Sequence, residues 1–103
     1  MHERRMRVIS RKTLREFWDK HAQAKAPLDS WYDVITKRAW ASSADFKRFF
    51  SRSVDSVGNG RYVFNIGDNF RLVVRVNFPM QVAYIRFVGT HKEYDRIVDI
   101  ASI

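Results

Sequence analysis

The spacing of apolar residues predicts two amphipathic helices in the first part of the chain. Residues 6–9 could form a short opening strand, and Ser10 is a candidate N-cap for the first helix. Apolar positions then recur every three or four residues, and Pro27 suits the first turn of the second helix. We expect the two helices to form a hairpin lying on an apolar surface. The stripes are Leu14, Phe17, Trp18 and Ala22 in the first helix, and Leu28, Trp31, Ile35 and Ala39 in the second.

The segment that follows is predicted to hold a third helical turn and then a loop. Residues 43–50 have helical spacing, with Ser43 as the cap and Phe46, Phe49 and Phe50 turned inward. Residues 53–60 read as a loop, because Gly58-Asn59-Gly60 has the chemistry of a turn. No strand is predicted between the third helix and Gly60.

After Gly60 the apolar period changes from helical to two, which predicts three antiparallel strands at residues 61–67, 70–78 and 81–89. The middle strand should turn Leu72, Val74, Val76 and Phe78 toward the helices. In the last strand, alternation places Ala83, Ile85 and Phe87 on the face opposite Tyr84 and Arg86. The side away from the helices is expected to be open, where it could bind a phosphodiester chain or simply be solvated. Its polar residues would be Asn65, Arg71, Arg75, Tyr84 and Arg86.

Composition supports one domain of α+β class. The chain has 103 residues, 46% of them hydrophobic and 15% aromatic, with no repeat or linker, which fits one compact core. The absence of cysteine excludes disulfides and thiolate metal sites, and it is consistent with a cytoplasmic location. We expect neither a signal peptide nor membrane association, because no apolar run approaches the roughly 20 residues of a membrane span.

A strong positive charge narrows the choice of partners. The net charge is +8 with a pI near 10.3, and residues 1–25 hold eight basic and three acidic side chains. This balance favours polyanionic partners, with nucleic acid ranked above a merely solubilising charge excess.

The stretch FVGTHKEYDRI, residues 87–97, places five ionisable side chains directly after a strand. Thr90 and Glu93 have capping-box spacing, so Glu93 has a structural role at the start of a C-terminal helix. Such a helix start does not require His91, Lys92 or the phenol of Tyr94, and a site that moves protons is the alternative explanation. The three histidines lack metal-ligand spacing and no nucleotide-binding motif is present, so we expect neither a metal nor a cofactor.

Several strings of the sequence resemble the HigB-type toxins of the RelE superfamily. They are RVISRKTLREFWDKH, KRAW, YVFNIGDNFRLVVRVNF and YIRFVGTHKEYD, which are distributed along nearly the whole chain, between residues 7 and 95. The resemblance implies a RelE-like domain over residues 1–103. Its fold would be a short N-terminal strand, a helical hairpin packed on one face of a small antiparallel sheet, and a short C-terminal helix.

The resemblance also implies an mRNA-cleaving endoribonuclease that acts on the translating ribosome and is held in check by a helix-turn-helix antitoxin of HigA type. The ribose 2′-OH would attack the neighbouring phosphate without a metal. His91 would serve as general acid or base, with Tyr94 or Lys92 as its counterpart, because histidine titrates near neutral pH. Arg71 and Arg86 would clamp the phosphate. The other expected RNA-binding residues are Asn65, Asn69 and Arg75, with Arg11, Lys12 and Arg15 of the first helix.

Two other classes of function remain open from the sequence. One is an RNA- or ribosome-binding module without catalysis, and the other is a toxin that poisons DNA gyrase on the same scaffold. Neither needs a histidine beside a face rich in arginine, so retention of THKEYD favours the nuclease.

Overall fold

A computed structural model describes residues 4–103, and a five-stranded mixed sheet lies at its centre. The strand order is β1-β5-β4-β3-β2. β1 runs parallel to β5, whereas the other neighbouring strands are antiparallel. The strands are β1 (Arg7–Ile9), β2 (Val54–Gly58), β3 (Arg61–Ile66), β4 (Phe70–Asn77) and β5 (Val82–Thr90).

Three helices pack on one face of this sheet, and a fourth short helix follows β5. The helices are α1 (Arg11–Lys20), α2 (Lys25–Thr36), α3 (Ser43–Phe50) and α4 (His91–Asp95). Short 3₁₀ turns occupy Ala22–Ala24, Ser51–Ser53 and Ile100–Ser102. The α+β class, the helical hairpin and the C-terminal helix are therefore confirmed. Within residues 4–103, no helix is long and apolar enough to cross a membrane.

The apolar stripes of α1 and α2 form the main core against the sheet. Leu14, Leu28 and Ile35 are fully buried, in one cluster with Leu72 and Val74 of β4. The predicted stripes extend too far, because α1 ends at Lys20 and α2 at Thr36, so that Ala22 lies exposed in a turn and Ala39 lies beyond its helix. Ser10 stands at the N-cap position of α1, but its side chain makes no capping hydrogen bond.

The second part of the core consists of aromatic side chains, and the buried side-chain amide of Gln81 connects the loops beside it. Gln81, between β4 and β5, accepts a hydrogen bond from the main-chain N–H of Trp40 at 2.9 Å and donates to Trp40 O at 2.6 Å. It also donates to Phe78 O at 2.7 Å, so the α2–α3 connection is fixed to the β4–β5 turn. Phe46 is buried as predicted, whereas Phe49 is 46% exposed, so the prediction that it turns inward is wrong.

The start of α3 also differs from the sequence prediction. Ser42, not Ser43, is the N-cap residue, and its side chain makes no capping bond. Instead the carboxylate of Asp45 accepts a hydrogen bond from the main-chain N–H of Ala41 at 2.6 Å. This bond, followed by the ion pair with Arg48, lowers the pKa of Asp45.

Two predictions about the sheet are wrong. The sheet is mixed rather than antiparallel, because β1 joins its edge in parallel with β5. Residues 54–58 form a strand rather than a loop, with Val54 buried opposite Phe64 of β3. The predicted turn at Gly58-Asn59-Gly60 is present, and all three residues have positive φ angles of 96°, 53° and 73°.

Candidate functional site

Strand register places polar side chains of β3, β4 and β5 next to one another on the sheet face opposite α1–α3. Residues directly opposite one another in an antiparallel ladder lie on the same face. Asn65 is opposite Arg71, and Arg75 is opposite Tyr84. The predicted grouping of these four residues matches the register. We call this side, which carries Asn65, Arg71, Arg75 and Tyr84, the polar face.

A β-bulge changes the predicted pattern of β5. The register shifts between Val73 and Val74 of β4, so that Val74 is opposite Ile85 while Val73 is opposite Phe87. Phe87 therefore lies on the polar face, and the prediction that it lies on the other side with Ile85 is wrong. Arg86 falls in the bulge between these pairs and is exposed. The bulge brings an aromatic ring to the polar face that simple alternation would place in the core.

The polar face is partly covered, contrary to the prediction of an open sheet face. We call residues 96–103 the C-terminal segment. It runs from the end of α4 to the β2–β3 turn, where Asn59 donates to Ala101 O at 3.3 Å and Arg61 donates to Ile103 O at 2.9 Å. The segment thus crosses one part of the face. Residues such as Asn65 and Arg75 remain exposed.

A capping box fixes the start of α4, as the sequence predicts. Thr90 Oγ1 accepts a hydrogen bond from the main-chain N–H of Glu93 at 3.1 Å, and Glu93 Oε1 accepts one from the main-chain N–H of Thr90 at 2.8 Å. The main-chain N–H of His91 donates to Asn69 O at 2.7 Å, which ties α4 to the β3–β4 turn. The start of α4 is therefore fixed by its own capping box and by the bond to the β3–β4 turn.

His91 and its neighbours line a surface pocket of about 400 Å³. The imidazole Nδ1 of His91 lies 3.2 Å from Oδ1 of Asp95, and both side chains are more than half exposed. Nδ1 of His91 therefore faces a carboxylate, and Nε2 is the ring nitrogen that remains to contact a substrate. The pocket is lined by Asn69, Thr90, His91, Lys92 and Asp95.

Of the other residues predicted to be catalytic, Lys92 lines this pocket, whereas Arg71 and Tyr94 are not among its lining residues. Arg71 is half-buried opposite Gly89, two residues before His91, and its Nη1 donates to Phe70 O at 2.9 Å. Tyr94 is half-buried in α4, and Lys92 is exposed. The polar face and the α4 pocket are therefore adjacent.

Sequence reasoning missed His21, which lies near the start of α4. Its ring stacks on Phe17 with centroids 4.4 Å apart and meets the edge of Phe70 at 6.0 Å. The hydrogen bond from Thr90 is the main cause that lowers the pKa of Glu93, and the charge of His21 also contributes. The spacing of Phe17 and His21, four residues apart on one helix face, was the available signal. Within residues 4–103, no three His, Asp or Glu side chains are grouped so that they could hold a metal ion.

The predicted basic residues of α1 lie away from the polar face, because α1 packs on the other side of the sheet. The Arg11 guanidinium lies 5.8 Å from the ring of Trp18 and 5.3 Å from that of Tyr32, and it pairs with Asp29 at 3.3 Å. Arg11 thus helps to join α1 to α2. Lys12 and Arg15 are exposed.

Comparisons with known proteins point to one family. Residues 24–97 match the sequence profile of the HigB toxin family, described as the RelE-like toxic component of a toxin–antitoxin system. The chain is 38% identical over 93 residues to the mRNA interferase toxin HigB of Escherichia coli K12, covering 87% of this chain and 88% of that protein. The same identity and coverage hold for the mRNA interferases HigB of Escherichia coli O157:H7 and Shigella flexneri.

Proposed function

This chain belongs to the HigB family of RelE-like toxins, and from this premise we propose that it is an endoribonuclease that cleaves mRNA. The observation that carries the proposal is its 38% identity, over 87% of its length, to a protein named mRNA interferase toxin HigB. The rival functions of gyrase poisoning and non-catalytic RNA binding are not favoured by these relatives.

The proposed reaction is attack of a ribose 2′-OH on the adjacent phosphate. A base removes the proton of the 2′-OH while an acid protonates the departing 5′ oxygen, which leaves a 2′,3′-cyclic phosphate. His91 takes one of these roles through Nε2, with Asp95 holding Nδ1. Tyr94 or Lys92, which follow on the same helix, supplies the other proton transfer.

Positive charge on the polar face stabilises the transition state in this proposal. The phosphate gains negative charge as the 2′ oxygen attacks, and fixed cations lower the energy of that state. Arg71 is suited to this task because its guanidinium is held by the carbonyl of Phe70 at 2.9 Å. Arg86, in the exposed bulge, is a second cation at the phosphate. Asn65, Asn69 and Arg75 bind the RNA backbone or a base edge.

The proposal extends to the cellular setting of the protein. The family is the toxic component of a toxin–antitoxin system, so an antitoxin is a partner. We propose that this antitoxin is a helix-turn-helix protein of HigA type and that residues 1–103 form one toxin domain. The substrate would be mRNA on a translating ribosome in the cytoplasm. Expression of the toxin alone should arrest growth, and co-expression of the antitoxin should relieve the arrest.

Cell-free translation followed by primer extension on the mRNA tests this function. Wild-type protein should produce discrete cuts, and omission of ribosomes shows whether they are required. Arg71→Ala should slow cleavage more than Arg71→Lys, because lysine keeps the charge but not the planar donor geometry. A substrate with 2′-deoxyribose at the cut position should resist, and normal cutting of that substrate would disprove the proposed attack.

A further inference from the structure

We infer that Arg61 is a positioning residue for the proposed active site, because it fastens the C-terminal segment and thereby holds α4 against the polar face. The inference rests on the proposed function for its catalytic meaning. Arg61 lies at the start of β3, at the opposite end of this strand from Asn65, and it belongs to none of the motifs that predicted the site.

Helix α4 has little anchorage of its own. It is five residues long and none of its side chains is buried. Isolated helices of this length are unstable, because too few hydrogen bonds form to offset the cost of nucleation. The capping box and the bond from His91 to Asn69 fix its first turn. The direction of the helix, and with it the position of Tyr94, then depends on what holds the chain that follows.

Arg61 holds the far end of that chain with all parts of its guanidinium. Nε and Nη2 donate to the main-chain oxygen of Ile103 at 3.1 and 2.9 Å. Nη1 donates to Asn59 O at 2.9 Å, which fixes the guanidinium to its own turn. The side-chain amide of Asn59 donates to Ala101 O at 3.3 Å. The β2–β3 turn is thus a clasp for the last residues of the segment.

A small apolar layer lies between the C-terminal segment and the sheet. Val63 and Val73 are opposite each other on the polar face and are 4% and 0% exposed, although they do not belong to the main core cluster. The C-terminal segment reaches this side of the sheet at Arg61, which is opposite Arg75 and donates to Ile103 O, and α4 reaches it through Glu93, beside Gly89. Ile97 and Ile100 of the segment are half-buried, in agreement with packing on these valines. The hydrogen bonds of Arg61 therefore also help to hold the C-terminal segment against these valines.

We expect loss of the clasp to change the position of α4 more than it changes the binding of RNA. An error of about 1 Å in a catalytic group can reduce the rate ~10²-fold. Arg61 binds the segment rather than the substrate in this proposal, so the Michaelis constant for RNA should change little.

Three variants separate positioning from a direct RNA contact. Arg61→Met removes the clasp at nearly constant length. Arg61→Lys keeps the charge but lacks the planar guanidinium that donates to Ile103 O and Asn59 O at once. Arg52→Met, in the exposed turn before β2, is the control for the loss of one positive charge. The measurements are kcat and KM for cleavage of mRNA on programmed ribosomes, amide hydrogen exchange at residues 91–103, and global stability in urea.

We expect Arg61→Met to lower kcat ~10- to 100-fold with KM within about twofold, to raise exchange in α4 and the segment, and to leave the urea midpoint nearly unchanged. Arg61→Lys should recover only part of kcat, and Arg52→Met should behave as wild type. Unchanged exchange, or faster exchange with normal kcat, would overturn the inference. A raised KM that lysine restores would make Arg61 an RNA contact instead. Wild-type protein that cuts no RNA would refute the proposed function, whereas exchange still decides whether Arg61 holds α4.

Discussion

Nδ1 of His91 lies 3.2 Å from Oδ1 of Asp95, one helical turn further along α4. The pair is exposed, so its contribution to stability is small, but it sets the orientation of the imidazole. This geometry makes Asp95 a partner of the proposed acid or base.

The first prediction concerns this pair. His91→Gln should slow RNA cleavage ~10²- to 10⁴-fold with the fold intact, because proton transfer is lost. Asp95→Asn should slow it only about two- to fivefold, as expected for an exposed ion pair of about 0.2–1 kcal/mol. Single-turnover rates check both, with Asp19→Asn on α1 as the control. A wild-type rate in His91→Gln would reassign the proton transfers to Tyr94 or Lys92.

The second prediction uses two buried tryptophans with different hydrogen bonding. Nε1 of Trp40 donates to Ile35 O at 3.0 Å, whereas Nε1 of Trp31 has no acceptor within the described residues 4–103. Replacement by phenylalanine removes the same atoms at both sites, where exposure is 4% for Trp31 and 2% for Trp40. Trp40→Phe should therefore cost about 2 kcal/mol more than Trp31→Phe in urea unfolding, because removing an unpaired donor relieves a desolvation penalty. Equal losses would mean that packing alone governs both sites.

The third prediction concerns Gly89, where space rather than backbone angle requires glycine. A β-carbon built there would lie 2.5 Å from Cζ of Phe87 and 3.0 Å from Oε1 of Glu93. Gly89→Ala should cost about 1–3 kcal/mol, because the ring and the capping carboxylate must both move. The double variant Phe87→Leu with Gly89→Ala should recover part of that loss in thermal unfolding. If the single variant is as stable as wild type, the ring turns aside at no cost.

Local sequence patterns were enough to predict some features of the fold but not others. The capping box at Thr90 and Glu93 follows a local rule, and it was predicted correctly. Strand β2 has only Val54 buried, so no alternating pattern marked it. The bulge that turns Phe87 to the polar face is set by pairing with β4, which residue spacing within β5 does not encode.

For a related reason, the sequence did not predict that the C-terminal segment covers part of the polar face. Arg61 and Ile103 are 42 positions apart, and nothing in the sequence around either residue indicates that they are in contact. His21 reaches the start of α4 only through the packing of α1 beside Phe70. Long-range contacts of this kind decide which site residues meet, whereas local patterns decide which elements form.

The fourth prediction concerns the stability of α4 at low pH. The pKa of Glu93 is lowered, mainly by the hydrogen bond from the main-chain N–H of Thr90. A carboxylate with a lowered pKa stabilises the folded state above the ordinary glutamate value of about 4.3, and this contribution is lost as pH falls through the lowered value. The protection factors of the α4 amides, which are corrected for the intrinsic pH dependence of exchange, should therefore fall on acidification below about pH 4. Glu93→Gln should remove that pH dependence, and an unchanged acid response in this variant would assign it to another group.

The fifth prediction separates ribosome binding from RNA cleavage. Lys12 and Arg15 are exposed on α1, on the opposite side of the sheet from the polar face, so they can contact ribosomal RNA while mRNA occupies the site. Lys12→Glu with Arg15→Glu should weaken ribosome cosedimentation and lessen its salt dependence, because phosphate contacts release counterions. Arg11 is left unchanged, since its guanidinium lies 5.3 Å from the ring of Tyr32 and helps to join α1 to α2.

The matched variant for the other side is Arg75→Glu on the polar face, which should weaken RNA binding and slow cleavage through loss of a phosphate contact. If the α1 variant still cosediments with ribosomes at every salt concentration while the Arg75 variant does not, both contacts lie on the polar face. The protein would then have to bind ribosome and mRNA with the same few arginines, beside a C-terminal segment that already covers part of that face. The two variants therefore decide whether the charge of α1 has a function or only adds to solubility.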